Sequence, residues 1–341
     1  MLKLIGIGLS GLLVAAAGAA QSADEQSEVG GDKIPQGVIL VKGAWSSASD
    51  TFTPLPEGGV VVDGTYDNAY FHLSYALSRQ WIERYSGQPP SDSGYYVLAQ
   101  LEPAVEQNAS TSAHVLIAAQ DVFFSLLPAA DALEQISYSR AHLAANYKVE
   151  TEPREVRIAN HSFVRFDYMA PAAGLHWRVL ATQLRCHVVQ FIFTGRDPKL
   201  LDKLIAGMNS MKSSQEPAAT PIEAVGDTPV CIRDYVTSAQ RLAGESPVLS
   251  EQRFNPIPVR IIIDAKGRVR HIHFLSAFAG QASVISDALS SWRFKPYIVN
   301  GQAVEVETGV MFGRAPAMVA PAAALSSRIE STIAAVEHSN W

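Results

Sequence analysis

Two histidines, His271 and His273, stand two residues apart and so share one face if the segment is a strand. With a third ligand from elsewhere they could hold a metal ion. No acidic or sulfur residue at fixed spacing accompanies them, so a solvated strand face is the simpler expectation. His176 and His187 flank an expected strand turn and read as cross-strand neighbours. Cys186 directly precedes His187, but adjacent strand residues point to opposite faces, which is poor geometry for a Cys–His nucleophile pair. Tyr66, Tyr70, Tyr75, Trp81, Tyr85, Tyr95 and Tyr96 could line a ligand groove or simply fill a core. No nucleophile elbow, P-loop, strand-following G-x-G-x-x-G, H-E-x-x-H or C-x-x-C is present. The reading is therefore of no catalytic residue, no metal and no cofactor, with an envelope enzyme using the aromatic groove as a remaining alternative.

Cys186 and Cys231 are the only cysteines. In an exported chain they could form a disulfide that ties two domains across a linker; two buried thiols that never meet is the alternative.

The chain has 341 residues, enough for about two domains. It carries 27 Lys and Arg against 33 Asp and Glu, and no basic run, which argues against nucleic-acid binding. Residues 1–20 read as a signal peptide: Lys3, an apolar stretch from Leu4 to Val14, then the small-residue pattern Ala17-Gly18-Ala19. Periplasmic export follows from that reading. An uncleaved anchor in the inner membrane is the alternative, and only then would a membrane be a partner.

Residues 21–59 read as a mobile N-terminal segment, with a short strand within Gly37 to Lys42 and a loop from Ser46 to Gly59. The expected fold class is α+β: an N-terminal antiparallel sheet with packed helices over residues 60–212, then a small αβ domain over residues 229–313. Tyr70 to Leu77, Tyr95 to Leu101 and His114 to Ala119 read as strands. Pro128 opens a helix whose face carries Leu133, Ile136, Leu143 and Tyr147. Val156 to Phe166, Leu175 to Thr182 and Val188 to Thr194 read as three further strands. Asp197-Pro198 caps a helix with the stripe Leu201, Leu204, Ile205, Met208 and Met211.

Residues 213–228 read as a linker, and Thr228-Pro229 as the start of a helix bearing Cys231, Tyr235, Ala239 and Leu242, ended by Gly244. Val259, Ile261 and Ile263 alternate with Arg260 and Asp264. The turn Asp264-Ala265-Lys266-Gly267 and a returning strand from Val269 to Leu275 complete a hairpin. Ser283 to Ser291 is a short helix. Trp292 and Phe294 are expected in the core, Asn300-Gly301 turns the chain, and Val304 to Phe312 is a last strand. Residues 314–341 form an Ala- and Pro-rich tail with a short amphipathic helix.

The C-terminal order carries a family resemblance. Ile263-Asp264, Gly267-Arg268-Val269, Trp292-Arg293-Phe294-Lys295-Pro296 and Asn300-Gly301-Gln302-Ala303-Val304 succeed one another as in the TonB C-terminal domain. The family's Tyr-Pro-Pro stretch is replaced by Phe254-Asn255-Pro256-Ile257-Pro258, and the linker is short. The resemblance implies a module that binds an extended partner segment, from an envelope protein or peptide, along a sheet edge. The expected edge is the last strand: Ala303, Val304, Glu305, Val306, Glu307, Thr308, Val310 and Phe312, with Glu305 and Glu307 pointing outward to select the partner or to keep a free edge soluble. A TonB-like energy transducer of outer-membrane transport is the alternative role. The first domain resembles the PsbP-like fold through Tyr66-Asp67-Asn68-Ala69-Tyr70-Phe71-His72-Leu73-Ser74-Tyr75 and Trp81, a family mostly of binding and assembly proteins. Both resemblances point to an exported adaptor without catalysis.

Overall fold

Alternation of apolar and polar residues governs most of the chain, and the result is mostly β sheet with few helices, an α+β architecture. The structure is a computed structural model that describes residues 39–41, 46–48, 54–77, 79–85, 94–104, 112–125, 131–213, 229–237, 239–249, 256–277 and 279–313. The expected signal peptide, linker and C-terminal tail lie outside these residues, except Ser213. No helix among the described residues is long and apolar enough to cross a membrane.

The described residues begin with β1 (Ile39–Val41) and β2 (Ser46–Ala48), then β3 (Val60–Val62), β4 (Thr65–Asn68), β5 (Leu73–Ala76) and β6 (Trp81–Tyr85). Next come β7 (Tyr95–Pro103), β8 (Ala113–Asp121), α1 (Ala132–Ala141), β9 (Lys148–Ile158), β10 (His161–Ala170), β11 (Leu175–Leu184) and β12 (His187–Gly195). Helix α2 (Pro198–Gly207) and β13 (Lys212–Ser213) close this half. Seven strands form an antiparallel sheet in the order β6-β7-β8-β12-β11-β10-β9, and four more the sheet β13-β5-β4-β3.

Both faces of the large sheet are buried. Phe191 and Phe193 meet Leu201 and Ile205 of α2 and Met208 just after it, together with Tyr66, Tyr75 and Tyr96. Val188, Phe166 and Trp177 meet Ile136 of α1 on the other face. The aromatic concentration is thus packing: Tyr66, Tyr75 and Tyr96 are buried within one core. Asp197 caps α2 as its sequence indicates, its side chain accepting from the Lys199 N–H.

Two local expectations fail here. Val156 to Phe166 is not one strand, because Ala159 and Asn160 both take positive φ and turn β9 into β10. Among the described residues, α1 starts at Ala132 behind the Asp131 cap, and ends before Leu143 and Tyr147; Leu133 faces outward.

The C-terminal half comprises β14 (Val230–Cys231), β15 (Arg241–Ala243), β16 (Ile257–Ile263), β17 (Val269–Phe274), α3 (Ala279–Ser291), β18 (Arg293–Phe294), β19 (Tyr297–Val299), β20 (Gln302–Val304) and β21 (Val306–Phe312). Its main sheet runs β1-β2-β17-β16-β21-β14. Ile257, Val259, Ile261 and Ile263 meet Ile285, Leu289, Trp292 and Phe294 in one core, so Trp292 and Phe294 are buried as expected. Gly267 is required twice over: its φ is +76°, and a Cβ there would collide with the Phe294 carbonyl. The Phe294 N–H donates to the Gly267 oxygen at 2.8 Å, which ties the hairpin turn to the Trp292-x-Phe294 segment.

Among the described residues the helix expected after Pro229 does not form. Val230 and Ile232 N–H groups donate instead to the Glu305 and Glu307 carbonyls, making β14 a parallel neighbour of β21. Tertiary pairing overrides a helical spacing that leaves Leu242 exposed. Ser46 to Ala48, expected as loop, pairs with β17. All described residues fall within one compact unit.

Candidate functional site

A sheet with one helix-covered face must do something with the other. On that second face the alternation of β16, β17 and β21 places Arg260, His271, His273 and Glu307, since Arg260 pairs with His273, and Ile262 with both His271 and Glu307. All four side chains are buried. The expectation of a solvated histidine face is therefore overturned, and Glu307 does not point to solvent. The polar face is covered by the end of the large sheet and the loops beside it.

Asp121 at the end of β8, His187 at the start of β12, Arg185 in the turn between β11 and β12, and Tyr70 before β5 meet it. Arg260 Nη1 donates to Tyr70 Oη at 2.7 Å and to Glu307 Oε1 at 2.8 Å. Its Nη2 donates to Asp121 Oδ2 and, at 2.9 Å, to His187 Nε2. Tyr70 Oη donates to Glu307 Oε1 at 2.8 Å. Arg185 Nη2 donates to Glu307 Oε2 at 2.6 Å, and its guanidinium lies 3.8 Å from the Tyr70 ring centroid. Beside this set, His273 Nε2 lies 3.0 Å from Glu57 Oε1. Two guanidinium groups thus oppose two carboxylates out of water, with few lone pairs left over.

The electrostatics follow from this packing. Burial pushes the Glu307 carboxyl upward, but Arg260 and Arg185 outweigh it and hold the group down at about 2. Asp121 goes the other way: its desolvation exceeds the pull of Arg260, and its pKa is raised. His187 lies well below its usual range through burial, then Arg260 and Arg185. The geometry agrees, because a guanidinium has no lone pair and His187 Nε2 must accept, which makes the ring neutral. His187 and Asp121 are therefore not an ion pair despite their 3.9 Å approach.

The turn Arg185-Cys186-His187 delivers three contacts in a row. Arg185 reaches Glu307 on β21, Cys186 is joined to Cys231 on β14, and His187 accepts from Arg260 on β16. Of the two readings of the cysteines, the structure has the disulfide. Arg185 sits at φ +51°, where glycine is favoured, and its ion pair holds it there.

The expected partner-binding strand is divided. Ala303 and Val304 belong to β20, which pairs with β19, and Glu305 falls at the break and pairs with Arg270 at 2.9 Å. Val306, Glu307, Thr308, Val310 and Phe312 lie on β21, which has β16 along one side and β14 beside Val306 and Glu307. The strand is second from the end of its sheet rather than a fully open edge. His176 and His187 are not neighbours: they occupy opposite ends of the β11–β12 hairpin, His176 opposite Gly195. Among the described residues no cluster of His, Cys, Asp and Glu suited to a metal forms.

Sequence reasoning singled out Glu307, His187 and both cysteines, but missed Arg260, Asp121 and Arg185. The signal was Arg260 between Val259 and Ile261, with His271 and His273 repeating the polar alternation on the next strand.

No protein-family model matches this chain, and no curated protein matches it. Among solved structures, the chain is similar to the solution structure of cyanobacterial PsbP (CyanoP) from Synechocystis sp. PCC 6803, at 10% identity and a TM-score of 0.31, over 46% of this chain and 96% of that one.

Proposed function

We propose that this protein is an exported, non-catalytic adaptor whose TonB C-terminal-like region binds an extended partner segment at the edge of β21. The supporting observation is the half of β21 beyond β14. Carbonyls of Glu305 and Glu307 accept from β14, so by strand alternation Gly309 and Met311 turn their N–H and C=O to the same side. Among the described residues no strand pairs with them there. Two residues' worth of free ladder can nucleate strand addition, with Met311 exposed beside it. The ion cluster reads as structural rather than catalytic, because Arg260, Asp121 and Glu307 are at most 1% exposed.

The test is selection of extended peptides from a displayed library, followed by Met311→Pro. Proline removes the edge N–H without touching the bonds to β16. Binding should be lost while circular dichroism stays unchanged; equal binding by the variant refutes the edge.

A further inference from the structure

The strap β14 is two residues long and pairs with β21 only through Val230 and Cys231. The Val230 and Ile232 N–H groups donate to the Glu305 and Glu307 carbonyls at 2.8 and 3.1 Å. The disulfide from Cys231 to Cys186 fixes it to the large sheet, and the Arg233 side chain, just past the strap, adds a donated bond to the Val122 carbonyl. We propose that Cys186–Cys231 is a thiol–disulfide exchange site, at which a dithiol reductant releases β14 and lengthens the open edge of β21.

Three observations carry this. Cys186 is fully buried whereas Cys231 is partly exposed, which makes Cys231 the more accessible half of the disulfide for an attacking thiolate. The flanking residues Arg185 and His187 are held by Glu307 and Arg260, so the turn and the contact between the sheets persist without the disulfide. Beyond the strap, Tyr235 is buried and donates its hydroxyl proton to the Lys295 carbonyl, which anchors the chain past Asp234 at φ +59°. On the C-terminal side, opening thereby stops at the turn at Asp234.

The exchange balances as follows. One thiolate of the reductant bonds to the Cys231 sulfur, the Cys186–Cys231 bond breaks, and Cys186 leaves as a thiolate that takes up a proton. The second thiol of the reductant then displaces Cys231, which leaves as a thiol. The reductant departs as a disulfide, having supplied two electrons.

Once β14 is released, the edge-side carbonyls of Glu305 and Glu307 join Gly309 and Met311 in a continuous acceptor and donor row. That use of the opened edge rests on the partner-binding reading above; the exchange itself does not.

The experiment treats the full chain with dithiothreitol without denaturant, then measures alkylation by mass and amide exchange by residue. Both cysteines should become labelled. Exchange of the Val230 and Ile232 amides should rise roughly tenfold or more, with the β16 amides unchanged. The variant Cys186→Ser/Cys231→Ser should show the same exchange pattern without reductant. Labelling only after denaturation overturns the proposal, as does unchanged exchange at Val230 and Ile232, or an equal rise across β16. Displayed peptides that bind neither form, while the strap opens as expected, would sink the edge-binding reading and leave the exchange site standing.

Discussion

Replacing Arg260 by Met keeps the length of the side chain and removes its charge. In the folded chain Arg260 donates to Glu307, Tyr70, His187 and Asp121, and its own exposure is 1%. The variant leaves Asp121 buried with no cation within salt-bridge distance among the described residues, since His187 is neutral, while Glu307 keeps Arg185 at 2.6 Å. Breaking a buried pair from one side costs about 3–5 kcal/mol, far more than the pair itself contributes over a well-packed apolar substitute. Most of that cost should fall on Asp121. Arg260→Met should therefore lose about 3–5 kcal/mol in urea unfolding followed by tryptophan fluorescence, and Arg260→Met/Asp121→Asn should recover more than half of the loss. The deficit of the single variant should also shrink on mild acidification, because a buried carboxylate without its cation takes up a proton. A loss under about 1 kcal/mol, or a double variant no better than the single one, would refute the reasoning.

Glu307 makes a pH prediction. Its folded value of about 2 lies below the ordinary 4.5, so its stabilisation is complete above pH 4.5 and fades as the pH falls toward 2. Glu307→Gln should be less stable than the parent by about 3 kcal/mol at neutral pH, and the two urea midpoints should converge across that acid window. Asp121, whose value is raised, acts in the opposite sense above its ordinary 3.8, so Asp121→Asn should not reproduce this convergence. Gly267→Ala should cost about 1–3 kcal/mol in the same assay, because it combines φ +76° with a clash against the Phe294 backbone; a neutral effect would contradict the turn geometry.

Elements set by local chemistry were legible in the sequence. The Asp197-Pro198 cap, the Asp264 to Gly267 turn and the Asn300-Gly301 turn each carry their own geometry, with Gly267 and Gly301 at positive φ. The β9–β10 turn was not, because Ala159 adopts φ +50° under tertiary constraint and alanine gives no notice of it. Nor was the strap: Cys231, Tyr235, Ala239 and Leu242 obey helical spacing, yet a disulfide and two backbone bonds to a strand more than 70 residues away decide the outcome.

The ion cluster shows where periodicity stops being informative. Alternation correctly separates Val259, Ile261 and Ile263 from Arg260, and His271 from Ile272, but it distinguishes two faces without saying which one meets water. A polar face can be buried if another element brings opposite charge and matching donors to it. Here that element is a two-residue hairpin turn plus Asp121 and Tyr70, contributed from positions 70 to 187 and met by Arg260 and Glu307. An apolar joint between the sheets would tolerate sliding by a fraction of a side chain. Branching bonds from Arg260 to three elements of the first half do not, since a small shift strands a buried charge. The cluster thus fixes the register of one sheet against the other, and that fixed register is what keeps Cys186 opposite Cys231 and leaves the strap, rather than the whole interface, as the part that can open.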